Sequence, residues 1–195
     1  MSSMIRRTAL ATVLALAAGS VFAKDNAAHA DASFMKKAAE SGLTEVEAAK
    51  LAVSKATHTQ VKGFAQQMID DHTKANEELK ALAAAKNVTL PTEPGLKHKA
   101  QLKLLDGADG AKFDERYAKT FGVKAHDETV RLFQQAVQKT KDAEVKAFAE
   151  KTLPKLQHHL EMAKDLNRAV AGDKGDKADK ADKGKAAPAA PAASR

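Results

Sequence analysis

The strongest constraint on this chain is an apolar stripe that occurs twice. Between 60 and 86, Val61, Phe64, Met68, His72, Ala75, Leu79 and Leu82 follow one another at steps of 3, 4, 4, 3, 4 and 3. That spacing keeps all of them on one face of an α-helix, whereas a strand changes face at every residue. The pattern returns 84 residues later as Val145, Phe148, Thr152, Leu156, His159, Ala163 and Leu166. Local sequence repeats with it: Gln60-Val61-Lys62-Gly63-Phe64-Ala65 matches Glu144-Val145-Lys146-Ala147-Phe148-Ala149. The breaks that precede the two stripes, 55–60 and 139–144, are equally long. The chain therefore reads as two helical hairpins, with helices over 32–56, 60–86, 111–139 and 143–169.

Residues 87–110 join the hairpins, a connection of 24 residues. Simple up-down bundles use roughly 2–8. A link this long predicts a crossover along the bundle, and Leu96, Leu102, Leu104 and Leu105 predict a short covering helix within it. The expected fold class is all-α: a ferritin-like four-helix bundle, two helical hairpins joined by a long crossover. Pro154 falls inside the last helix, where a missing backbone donor predicts a kink or a break.

The chain ends read differently. Residues 1–23 have the form of a signal peptide: Arg6 and Arg7, then an apolar run of 14 residues over 8–21, then Ala23 as the expected cleavage point. Fourteen residues are too few to span a hydrocarbon core of ~30 Å. The expectation is an exported, periplasmic protein. Residues 24–32 read as a loose polar leader, 33–170 as the bundle domain, and 171–195, with Asp-Lys pairs among Gly and Ala and then Ala-Pro runs, as a disordered tail.

Composition narrows the function classes. There is no cysteine, hence no disulfide, thiol nucleophile or thiolate zinc site. No glycine-rich phosphate loop occurs. The net charge of +7 is modest, and in the tail aspartates offset most of the lysines, which argues against nucleic acid and leaves only a weak contact of the tail with an anionic envelope surface. No Ser-His-Asp order and no carboxylate pair at glycosidase spacing stands out, so a non-enzymatic binding or stress-related protein, monomeric, is expected.

Three histidines sit on apolar seams. His72 lies between Met68 and Ala75, and His159 between Leu156 and Ala163. His126 falls in the series Val123, His126, Val130, Phe133, Val137. Each lies near the middle of its helix, so all three reach one level of the bundle whichever way the helices run. Glu45 and Glu47 of the first helix reach a similar level. Three imidazoles with one or two carboxylates are ligand types that Zn, Fe, Mn or Cu accept. The same side chains could instead satisfy one another without metal, His72 through Glu45 or Glu47 and His126 through Asp71 or Asp127. A di-iron site needs Glu-x-x-His on two helices. Here Ile69, Val123 and Leu156 stand three residues before the histidines, so any metal centre would be His-rich and mononuclear.

Taken together, Glu45-Val46-Glu47, Met68-Ile69-Asp70-Asp71-His72, Phe113-Asp114-Glu115-Arg116-Tyr117, His126-Asp127 and Leu153-Pro154-Lys155-Leu156-Gln157-His158-His159-Leu160 resemble an exported ferritin-like family catalogued as domain of unknown function 4142. The resemblance covers about 34–166. It implies the fold and export and supplies no reaction.

Overall fold

The computed structural model describes the backbone over 18–183 and the side chains over 28–172. Helix α1 (Ala18–Lys55) and α2 (Thr59–Ala85) form the first hairpin. After a short extended stretch, α3 (Leu96–Asp106) fills the crossover. The third arm of the bundle is α4 (Gly110–Tyr117), a π-helical segment (Ala118–Lys124) and α5 (Ala125–Lys139) in unbroken succession, and α6 (Ala143–Lys183) closes the second hairpin. The described residues contain no strand. None of their helices is long and apolar enough to cross a membrane. The signal-like segment falls largely outside the described residues.

Caps explain the boundaries. The α2 N-terminus is held by Asp114, whose carboxylate accepts from the backbone of Thr57 and His58 and from the Thr57 hydroxyl at 2.5–3.2 Å. Helix α2 stops where Asn87 adopts φ 55°, the left-handed conformation that asparagine tolerates. There the Val88 amide reaches back to the Ala83 carbonyl at 2.9 Å and that of Asn87 to Ala84 at 3.1 Å, closing the helix end. Asp142 caps α6 by accepting from Glu144 and Val145 amides at 3.0 and 3.1 Å.

Several expectations shift. Residues 24–32 are helical, as the leading part of α1, and the helix of α6 continues through Pro154 to Lys183. An alanine-rich stretch and alternating Asp-Lys pairs are compatible with helix, which accounts for both extensions. The helix expected over 111–139 contains the π segment, where the Ala125 amide bonds to the carbonyl of Thr120, five residues back. In the crossover helix, Leu105 is buried and Leu102 packs on the core, but Leu96 and Leu104 face outward. Two of the four leucines are on the opposite side of α3, because steps of 6, 2 and 1 cannot bring all four to one helix face.

The interior has two apolar cores. One gathers Ala48, Ala52, Phe64, Met68, Leu105, Phe113, Tyr117, Phe121, Ala163 and Leu166. The other gathers Phe34, Ala38, Leu79, Val130, Phe133, Phe148, Leu156 and Leu160. On every arm the break between them falls at or beside buried polar residues: Thr44 and Glu45 on α1, His72 on α2, His126 and Thr129 on α5, His159 on α6. A polar layer thus crosses the bundle at mid-height.

Candidate metal centre

A layer of buried polar groups must be internally paired or it costs stability. His72, His126 and His159 are 5%, 0% and 1% exposed. Their ring centres form a triangle with all three sides 5.5 Å. One ligating nitrogen from each lies within 4.8 Å of the other two, and Nε2 of His72 stands 3.4 Å from Nε2 of His126. An ion bound tetrahedrally to three imidazoles at ~2.0–2.1 Å separates its nitrogens by about 3.3 Å and the ring centres by about 5.2 Å. The ring centres and the His72–His126 nitrogen pair are within a few tenths of an ångström of that arrangement.

The outer bonds decide which nitrogens face inward. Nδ1 of His126 lies 3.0 Å from the Phe121 carbonyl and 2.8 Å from that of Gly122. Carbonyls only accept, so Nδ1 carries the proton and Nε2 presents a lone pair to the cluster. The π segment makes this possible. Where five-residue pairing returns to four-residue pairing, the ladder skips a carbonyl, and the ring takes its place. π turns recur at functional positions for such reasons.

His159 is arranged in the opposite sense. Its Nε2 donates to Oδ2 of Asp71 at 2.8 Å, and its Nδ1 is buried with no hydrogen-bond partner. The same carboxylate accepts from Lys155 at 2.6 Å. Two lone pairs therefore point inward, and His72 can offer at most one N–H between them. An orphaned buried acceptor is costly. A cation would satisfy it. Carboxylate and carbonyl acceptors behind ligating histidines are the usual outer partners of such sites.

Protonation agrees. Burial, with the neighbouring imidazoles, pushes His72 well below the ordinary histidine range. Burial and His159 lower His126 to about 4 despite the two carbonyls. Burial also lowers His159, although Asp71 opposes it. Burial pushes Asp71 up, but bonds from Lys155 and His159 carry it below its ordinary value. At neutral pH the cluster is three neutral imidazoles, the form that binds metals. A cavity of about 30 Å³, lined by His72, His159, Asp71, Lys155 and Thr129 among others, adjoins them and has room for one water-sized ligand.

The two glutamates fare differently. Glu45 is buried, with Oε1 3.7 Å from Nδ1 of His126, on the ring edge away from His72. It backs the cluster and does not join it. Glu47 is exposed and paired with Lys50 at 3.1 Å. Two positions apart on a helix is about 200°, so only one of them could face inward. Asp127 lies outside as well, paired with Arg131 at 2.9 Å. Asp71 partners His159 and not His126, and the Phe121 and Gly122 carbonyls were not foreseen at all.

A family model described as a domain of unknown function, DUF4142, matches residues 17–166. The chain belongs to this family. The DUF4142 match takes in every residue of the cluster together with Asp71 and Glu45. The DUF4142 fold also resembles solved structures. A DUF305 protein from Streptomyces coelicolor, described as secreted, superposes with TM-score 0.63 at 15% identity, covering 73% of this chain and 92% of its own. A conserved hypothetical protein from Mycobacterium tuberculosis superposes with TM-score 0.56 at 14% identity, covering 86% and 99%. These likenesses carry the helical fold. No curated protein matches the chain in sequence.

Proposed function

We propose that this protein is a non-enzymatic metal-binding bundle that holds one transition-metal ion in the buried triangle of His72, His126 and His159. The observation that carries the reading is the pair of inward lone pairs, Nε2 of His126 and the orphaned Nδ1 of His159, with only one further imidazole between them. Three neutral imidazoles suit zinc, copper, iron or nickel, and the adjoining cavity leaves a fourth position for water. Storage, buffering or delivery fits a buried site whose mouth is closed by the Asp71–Lys155 ion pair. The leading segment with Arg6, Arg7 and Ala23, and the secreted description of the Streptomyces relative, support export to the periplasm.

Elemental mass spectrometry of the chain from Lys24 onward tests the reading, with H72A/H126A/H159A alongside. Near one metal per chain, lost in the variant while its helical circular dichroism persists, is the expected result. Background metal in both, with no tight binding on titration by zinc, copper, iron or nickel salts, would leave the layer as structure alone.

A further inference from the structure

The two large apolar side chains most open to solvent among the described residues belong to one short helix. Leu96 is 88% exposed and Leu104 63%, and both lie on α3. With exposed Ala100 midway, they occupy successive turns of a single face. The opposite face is already occupied. Leu105 is buried, Leu102 packs on the core, and His98 pairs with Glu40 at 2.9 Å. Glu40 also accepts from the Gly95 amide at 3.1 Å, so α3 is pinned to α1 at its N-cap.

Lysines border the outer stripe on both sides. At 100° per residue, Lys97 runs along one edge and Lys99 and Lys103 along the other. Lys99 meets Glu93 at 2.7 Å, whereas Lys97 and Lys103 have no ion partner among the described residues. The nearby acid on the helix, Asp106, is bound by Lys55. Arg116 donates to the Leu104 carbonyl and adds positive charge at that end.

We propose that this face of α3 rests on an anionic phospholipid surface, with Leu96 and Leu104 entering the acyl boundary and Lys97, Lys99 and Lys103 meeting the headgroups. An apolar stripe edged by lysines is the pattern of a helix lying in the membrane plane. Lysine stems extend along apolar surface and carry the ammonium to headgroup depth. The charge pattern selects the occupant. A second copy would set lysines against lysines, and a soluble polyanion would leave both leucines in water. Because Glu40 holds α3 in place, docking does not have to order the helix. The contact lies on the bilayer and does not cross it, as no described helix can span.

The chain from Lys24 onward is floated with phosphatidylglycerol/phosphatidylethanolamine vesicles and with phosphatidylcholine vesicles. L96S/L104S and K97Q/K103Q are run in parallel, each checked by circular dichroism. The expected result is flotation with the anionic vesicles alone, weakened at least tenfold in either variant and by 0.5 M salt. Failure to float with anionic vesicles overturns the proposal. Equal flotation of wild type and both variants overturns it too, since the binding would then lie outside this face. A dimer in solution that L96S/L104S converts to monomer would make the face a self-contact instead. None of these outcomes depends on whether the histidines hold metal.

Discussion

Asp71 and His159 share a hydrogen bond of 2.8 Å that joins α2 to α6 and turns the free nitrogen of the imidazole toward the interior. Asp71 is also the point where the cluster meets water, since its side chain is 21% exposed and salt-bridged to the half-exposed Lys155. D71A should therefore lower metal affinity about 10–100-fold. In metal-free protein it should cost about 1–3 kcal/mol, because Nε2 of His159 loses its acceptor. Chelator competition and denaturant melts measure the two separately. A melt shift with unchanged affinity would confine Asp71 to a structural role.

Acid should unfold the metal-free protein through the same layer. His126 titrates near 4 in the folded state and near 6.5 when unfolded. The unfolded chain thus binds the proton first, and stability falls as pH drops from about 6.5 to about 4, by up to about 3 kcal/mol from this residue. Above about 6.5 the contribution is complete and flat. His72 and His159 shift in the same direction and steepen the loss. Melting temperatures across pH 4–8 test this, and H126F should flatten the slope.

Glu45 should behave oppositely. Burial raises its carboxyl well above the ordinary value, and its Oε1 has no hydrogen-bond partner. The folded state holds this proton more tightly, so ionisation costs stability as pH rises above about 4.5. E45Q should stabilise the metal-free protein by about 1–2 kcal/mol at pH 8 and change little near pH 4. Destabilisation at pH 8 would show that the ionised carboxylate is paired with Nδ1–H of His126, 3.7 Å away.

Asp114 carries no metal chemistry but closes the hairpin. Its carboxylate serves Thr57 and His58 from another arm, at distances of 2.5–3.2 Å. D114A should cost about 2–4 kcal/mol and leave metal stoichiometry at one per chain once the protein is folded. Chemical denaturation with metal analysis of the folded fraction checks both.

The seams of α2 and α6 were readable because their residues meet one neighbour face throughout: Val61, Val145, Leu79 and Ala163 are all buried as their spacing requires. The histidine level was readable from helix length alone. The third arm was not. Its buried series is Phe113, Tyr117, Phe121, His126, Val130, Phe133, and the step of five before His126 is the only trace of the π segment. A search for steps of three and four substitutes half-buried Val123 and passes over it. Partner choice was equally hidden. Periodicity places His72 on a face, but whether Asp71 beside it turns to α5 or α6 depends on how three helices are rotated against one another.

The third arm carries one residue more than its packing needs. Deleting Val123 or Lys124 would set Phe121 and His126 four apart, still on one seam of an unbroken α-helix. The skipped carbonyl would then return to the backbone ladder, and the imidazole would lose the acceptor it supplies. Such a shortened chain should keep its bundle and forfeit its centre, which separates what this arm requires to fold from what it requires to hold an ion.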